Sequence, residues 1–522
     1  MQPANRISRG NWVLFSAICL VFLVHAFYYW EWVEDDTYIS MQYAKNFANG
    51  AGLVFNLGER VEGYSNFAWV IYASLVLKFN LSPLLVLRVT AIIAGLLTLV
   101  LSWRAALILS PRAGKSALAA PLYLALTPML SRHSTTGLET VPFAALIISG
   151  FVISTKRPTS ANSGPVLLLL VLLIFMRPEG VVFALLFLIW RHLGPVLPKE
   201  LSPELLADLH RNGMRAPALM WIEMIAILGV IATLLVWKWS YYGNLLPNTY
   251  YAKMTGGGRA LIDGVHYSLD FLRENGGAIL VGLYLANFLN KKLSMAFLLS
   301  IIIVVIQAGV VIAAGGDWMH FYRFFVPIIP LIAAGCAAGL STILQLYQQA
   351  SGSQYLVRKW PILIVLTGTM AMGFVNVYKV ERATGKAVLP YVNNGSYLTD
   401  GYRQTAQWIV ENTPPGSSVA VCDIGLIGFH SDRPVVDMFG LIDPQISHLD
   451  GRQHFKSDSI YILGKHPLLI VLVSSGNDNF IRIPDAEMFA NPEFIKSYSL
   501  VKSIPIQFRG EIIQIYLQNR KI

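Results

Sequence analysis

Three acids stand in a row at Glu34, Asp35 and Asp36, inside the stretch YYWEWVEDDTYISMQYAKNFANGAGLVFNLGERVEGYSNF that follows an apolar run without a break. An ionised Asp can take a proton from a hydroxyl nucleophile. Two adjacent carboxylates can also share a proton or hold a divalent cation such as Mg, Mn or Ca. The same spacing fits a structural role, with an Asp capping a helix that starts near Thr37. The two roles are compatible, since one Asp can cap while the other reacts, and position alone leaves both open.

Further polar clusters stand elsewhere along the chain. The Gly- and Asn-rich loop after the acids packs Glu59, Arg60 and Glu62 together, followed by Tyr64 and Asn66. Such a loop can offer backbone donors and a small charge cluster to a polar ligand, or form a plain surface turn. SRHSTTGLET holds Arg132, His133 and Glu139, and RPEG holds Arg177. LLPNTYYAKM holds Asn248, Tyr250 and Lys253, and GGDWMHFYRFF holds Asp317, Trp318, His320 and Arg323. A cation at the mouth of a membrane span can hold a phosphate at headgroup level, although each one alone also fits an aromatic belt with snorkelling cations. His133 and His320 have no partner at metal-ligand spacing, so their expected role is structural or hydrogen bonding to a substrate.

The elements that must position these groups are membrane helices. Of 522 residues 55% are hydrophobic and 13% charged, about half the charged share of a soluble protein. Apolar runs predict spans over 12–30, 84–107, 117–131, 138–155, 164–176, 180–193, 217–238, 277–290, 294–314, 325–347 and 360–378. The run 67–79 is too short to cross and reads as a re-entrant or interfacial helix. With that reading the basic residues alternate consistently: Arg6 and Arg9, Arg104, Arg112 and Lys115, Lys156 and Arg157, Arg191 to Arg215, Lys291 and Lys292, and Arg358 and Lys359 share one side. By the positive-inside rule that side is the cytoplasm, the N-terminus is inside and the polar clusters are outside. The net charge of +10 is thus membrane orientation rather than a nucleic-acid surface. The first run follows Arg6 and Arg9 without a small-residue cleavage site and is expected to be a retained helix. Cys19, Cys336 and Cys422 lie far apart, which argues against a disulfide framework or a thiolate metal site.

From about Glu381 the pattern changes. SSVAVCD, PVVDMFG, HPLLIVLVSS and EIIQIYLQ are short β-type runs between turn residues, and YRQTAQWIVENT reads as a helix stopped by Pro414. The expected organisation is a membrane module over 1–380, with a first outer loop at 31–83, and a small α/β domain over 381–522.

EDDTYISMQYAKNFANGAGLVFNLGERVEGYSNF, YYGNLLPNTYYAK, GGDWMHFYRFFVPIIP and VVDMFGLIDP resemble, as ordered blocks, the GT-C superfamily of membrane glycosyltransferases that use polyprenyl-phosphate sugars. The likeness is nearest to bacterial arabinofuranosyltransferase-type proteins. The resemblance implies a polytopic α-helical GT-C fold of about 11 transmembrane helices with a small C-terminal extracytoplasmic α/β domain. It implies an inverting transfer from a polyprenyl-phosphate donor, such as arabinofuranose, to a glycan, lipid or protein acceptor outside the bacterial plasma membrane. The family's acidic pair falls on Asp35 and Asp36, with Asp35 favoured as base and Asp36 orienting it or binding a cation. Lys253 and Arg323 are the phosphate candidates, with Arg60, Arg132 and Arg177 behind them. Glu59, Glu62, Tyr64, Asn66, His133, Glu139, Asn248, Tyr250, Asp317, Trp318 and His320 are candidate substrate contacts. Alternatives are another lipid-linked sugar of mannose or aminoarabinose type, a transporter or flippase of a lipid-linked sugar, and a non-catalytic scaffold for the tail. The transporter would be expected to place ionisable groups at mid-membrane and to show two related halves, and neither is visible in the sequence.

Overall fold

The computed structural model describes residues 9–156, 159–193, 218–253, 258–290, 294–317, 319, 321–351, 388–451, 455–476, 479–480, 482–506 and 510–519. The apolar runs become helices because hydrocarbon offers no partner for backbone N–H and C=O groups, which must pair within their own segment. Among the described residues five helices are long and apolar enough to cross a membrane: Arg9–Tyr28, Pro83–Leu109, Ala218–Tyr242, Met295–Ala313 and Ile329–Ala350. Shorter apolar helices run over Phe67–Lys78, Thr140–Ser154, Ser163–Met176, Gly180–Leu193 and Gly277–Leu289. The span expected over 360–378 and the domain boundary expected near 380 lie outside the described residues.

One expected span is divided. The run 117–131 consists of the Ala119–Leu126 and Pro128–His133 helices, joined at Thr127, whose backbone is extended at φ −76°, ψ 133°. Pro128 is the cause, because the residue before a proline is pushed out of the α region and the ring lacks an N–H. The chain therefore re-aims at Thr127, and the short second helix delivers Arg132 and His133 to the polar end of the bundle.

The loops carrying the polar clusters meet at that end. The Ser163–Met176 and Gly180–Leu193 helices form a hairpin so close that a Cβ on Gly180 would lie 1.8 Å from the carbonyl oxygen of Leu173. Their three-residue turn presents Arg177 and Glu179. Away from the site, Glu223 is fully buried and paired with Arg191 at 3.3 Å and His192 at 2.7 Å, as a carboxylate inside a bundle must be. Arg88, buried on the Pro83–Leu109 helix, donates to the carbonyls of Thr135 at 2.7 Å and Trp32 at 3.1 Å and so tethers two loops.

The tail opens with the Val388–Asn412 helix, which ends before Pro414 as the sequence predicts, and continues into one five-stranded sheet. The strands are β1 (Val419–Val421), β2 (Val435–Asp437), β3 (Leu469–Ser474), β4 (Tyr498–Ile506) and β5 (Glu511–Gln518), in the order β2-β1-β3-β5-β4. β1 pairs parallel with β2 and β3, whereas β3–β5 and β5–β4 are antiparallel. Four strands match the expected runs. The fifth, β4, is an edge strand with Pro505 inside it and a register shift at Leu500/Lys502, features that hide a strand in sequence because only edges tolerate them.

Candidate active site

The Asp35–Ala48 helix starts two residues earlier than expected, after Glu34 in an extended conformation. Both Asp residues therefore belong to its first turn, where the helix dipole favours negative charge. Neither serves as its N-cap, and Glu34 makes no side-chain cap bond. Glu34 instead accepts from Arg132 at 2.9 Å and from the Trp32 indole at 2.8 Å, while the Arg132 guanidinium stacks on Trp32 and Phe321.

Successive helical residues point about 100° apart, and the two acids part company. The Asp35 carboxylate accepts the backbone N–H of Gly425 at 2.8 Å and of Leu426 at 2.7 Å. These two residues lie in the first turn of the Ile424–Ser431 helix of the C-terminal domain. No side chain fits at Gly425, since a Cβ there would sit 2.1 Å from the Asp35 carbonyl and 2.7 Å from its carboxylate. Burial, followed by the nearby Asp423 charge, pushes Asp35 up to about 7 against the lowering effect of the two N–H bonds.

Asp36 instead faces a cavity of about 390 Å³. Arg323 reaches Asp36 at 3.3 Å and grips Asp317 with two bonds, at 2.7 and 3.3 Å. Arg177 is held by Glu179 at 2.6 Å and Glu139 at 2.9 Å. Asn66 donates to Glu139 at 2.8 Å and to Ser40 at 3.1 Å. Burial would pull both guanidinium groups down, yet Asp317 and Asp36 hold Arg323, and Glu179 and Glu139 hold Arg177, above the ordinary arginine value. Lys253 also lines the cavity, and burial lowers its pKa while Asp36 opposes that shift. Among the described residues no carboxylate pairs directly with Lys253, which leaves its charge available to a ligand. Ile39, Leu138, Val310, Ala313, Ala314 and Phe324 give the cavity an apolar wall.

Of the residues singled out in the sequence, the cavity collects Asp36, Tyr64, Asn66, Glu139, Arg177, Tyr250, Lys253 and Arg323, with Asp317 behind Arg323. Others lie elsewhere. Arg60 is exposed and stacks on Tyr241, and Glu59 accepts from Asn56. Glu62 is buried against Lys238 at 2.7 Å. His133 is fully enclosed and held well below the usual histidine value by burial and by Arg132. Arg132 serves Glu34, and Asn248 binds backbone of the C-terminal domain. Trp318 and His320 lie outside the described residues.

The divalent cation considered at Asp35 and Asp36 does not fit the donor set. Both Asp35 oxygens already accept N–H groups, and a guanidinium holds Asp36. Among the described residues no group of three or more His, Cys, Asp or Glu side chains could hold a metal ion. Sequence reasoning missed Glu179, Ser40, Gln307 and Thr249 on the lining. For Glu179 a signal existed, because RPEG sets a carboxylate two residues from Arg177 across a tight turn.

Comparisons with known proteins agree with this architecture. Residues 394–516 match a domain of unknown function, DUF8728. A terminal beta-(1->2)-arabinofuranosyltransferase of Corynebacterium glutamicum is 24% identical over 376 residues, covering 63% of this chain and 52% of the relative. The chain thus spans about half the length of that curated relative. Crystal structures of ArnT from Cupriavidus metallidurans superpose over 97% of this chain and 98% of theirs at 16% identity, with TM-scores of 0.53 for the form bound to undecaprenyl phosphate and 0.51 for the apo form. The fold is therefore that of a multi-pass helical membrane protein with a small C-terminal sheet domain.

Proposed function

We propose that this chain, whose fold is of the GT-C type, is an inverting membrane glycosyltransferase with a polyprenyl-phosphate sugar as donor. One observation carries the reading: a carboxylate, Asp36, faces Lys253, Arg323 and Arg177 in a single cavity with an apolar wall. The polyprenyl chain lies along that wall. Lys253 binds the donor phosphate by its open charge, and Arg323 and Arg177, fixed by their carboxylates, supply preorganised donors. The acceptor hydroxyl gives its proton to Asp36 as its oxygen bonds to the anomeric carbon. The bond from that carbon to the phosphate oxygen breaks, and the electron pair leaves with the polyprenyl phosphate. One displacement through an oxocarbenium-like transition state inverts the configuration.

This assignment reverses the role favoured from the sequence, where Asp35 was the base, because both Asp35 oxygens are engaged by the C-terminal domain. The likeness to the arabinofuranosyltransferase supports arabinofuranose as the sugar. The alternation of basic loops supports a site on the extracytoplasmic face of a bacterial plasma membrane, acting on a cell-envelope glycan or surface glycoconjugate.

The test is transfer by the purified protein in nanodiscs from a panel of polyprenyl-phosphate sugars. Turnover of the arabinofuranose donor with inversion is expected. Turnover of a mannose or aminoarabinose donor alone would overturn the sugar assignment. Movement of a lipid-linked sugar across liposomes with no glycosidic bond formed would overturn the transferase itself.

A further inference from the structure

The C-terminal domain contacts two of the segments that line the cavity, one beside Asp36 and one that ends at Lys253. At the first, Asp35 receives the N–H groups of Gly425 and Leu426, and its chain neighbour is Asp36. The first turn of a helix is its least constrained part, because its N–H groups have no partners within the helix. Here the N-cap residue supplies no side-chain bond. The tie through Asp35 therefore acts with the bond from the Thr37 hydroxyl to the Thr136 carbonyl at 2.7 Å to hold the turn that aims Asp36.

At the second contact the Asn248–Lys253 helix is only six residues long, well below the length at which a helix stands alone. Its first residue is fixed by the C-terminal domain. Asn248 donates to the carbonyls of Gly440 at 2.8 Å and Leu441 at 3.1 Å and accepts from the Ser447 hydroxyl at 2.8 Å. Lys456 donates to the carbonyl of Tyr251 at 2.7 Å, and the Tyr251 ring stacks on His448 at 4.5 Å. This short helix ends at Lys253. Between the two contacts, Asn56 pairs with both the N–H and the C=O of Val435 on edge strand β2, at 2.9 and 2.8 Å, and Leu441 itself lines the cavity.

We infer that the C-terminal domain is a working part of the catalytic site: it positions the base through Asp35 and the phosphate-binding lysine through Asn248 and Tyr251. Asp35, Gly425 and Asn248 are positioning residues. The inference rests on the transferase reading proposed above and gives a role to the segment of unknown function.

A double-mutant cycle on the full-length protein in nanodiscs tests it, with Asp35→Asn, Gly425→Ala and the pair together. An amide at 35 keeps one acceptor and turns an NH2 group against the other N–H, and a methyl at 425 obstructs the same approach from the far side. Each single variant is expected to lower kcat about 10- to 100-fold, the range for a displaced catalytic group, with donor KM little changed. The pair should fall no further than the worse single variant, because both break one junction. Asn248→Ala should act at the other contact, raising donor KM several-fold with less effect on kcat. Hydrogen exchange should accelerate in 36–48 in both Asp35→Asn and Gly425→Ala. Wild-type kcat in both single variants, or effects that multiply in the pair, would overturn the inference. If Gly425→Ala fails to fold, the cycle Asn248→Ala with Ser447→Ala replaces it, and multiplying effects on donor KM there would overturn the inference equally. A wild type inactive on every donor would refute the transferase reading instead. In that case unchanged exchange in 36–48 of Asp35→Asn, together with unchanged binding of undecaprenyl phosphate to Asn248→Ala, would overturn the positioning role by itself.

Discussion

Replacing Asp36 by Asn separates the proton-transfer role proposed for this carboxylate from its electrostatic one. The amide preserves shape and still accepts a hydrogen bond from Arg323, but it takes no proton from the acceptor hydroxyl. A positioned general base contributes about 10²- to 10⁴-fold, so kcat should fall by that factor, or roughly 3–5 kcal/mol in activation free energy. Donor binding should be nearly spared. Arg323 holds Asp36 by one contact at 3.3 Å and Asp317 by two at 2.7 and 3.3 Å, and the Asp317 side chain is only 2% exposed. The buried chelate, not Asp36, fixes the guanidinium, and donor KM should move by less than about threefold, an isolated partly exposed contact contributing under about 1 kcal/mol. The assay is transfer at saturating acceptor over a range of donor concentrations, with binding of undecaprenyl phosphate measured on the same preparation. An Asp36→Asn protein that keeps more than about a tenth of wild-type kcat, against the range expected for a lost base, would refute the assignment. A larger loss in Asp35→Asn than in Asp36→Asn would return the base to Asp35.

Two further perturbations test the surroundings. Burial lowers the Lys253 pKa, so its charge is lost on raising the pH sooner than that of a free lysine. Donor KM should rise on the alkaline side in the wild type and stay flatter in Lys253→Arg, because a guanidinium remains charged throughout; parallel pH profiles would remove Lys253 from the phosphate site. In Gly180→Ala the new Cβ meets the carbonyl of Leu173 at 1.8 Å, and prying the hairpin open should cost about 1–3 kcal/mol. Thermal unfolding followed in detergent should show a lower midpoint, together with weaker donor binding as the turn carrying Arg177 shifts.

The helices were legible in the sequence where hydropathy alone decides them. The ends of the Pro83–Leu109 and Met295–Ala313 helices fall within two residues of the runs read from composition. The break at Thr127 was written in Pro128, but a 15-residue apolar run outweighed it. Residue type was enough to single out Asp36, Lys253, Arg177 and Arg323, which the fold brings to one cavity. Orientation was not legible. His133 and Glu62 have the composition of ligand residues yet face inward: His133 is enclosed beside its neighbour Arg132 and the distant Phe321, and Glu62 meets Lys238, 176 residues downstream. Asp35 is the sharpest case, since its partners stand 390 residues downstream and are backbone N–H groups, which leave no trace in side-chain chemistry.

Adjacent acids invite the idea of a shared proton or a shared metal ion, and helix geometry argues against both here. Residues i and i+1 on a helix do not face each other, so a pair within the first turn naturally addresses two different neighbours. Moving the helix start from Thr37 to Asp35 is what turns a possible clamp into a bridge. In an irregular loop, whose backbone follows no fixed period, both carboxylates could be turned toward one ligand. Once helical, one meets the N-terminus of the Ile424–Ser431 helix and the other meets Arg323. The first Asp then needs no catalytic role for its loss to lower activity. Its two bonds to a distant domain help to hold a turn that lacks a side-chain cap, and the second Asp, which Arg323 meets at 3.3 Å, is aimed in part by that turn.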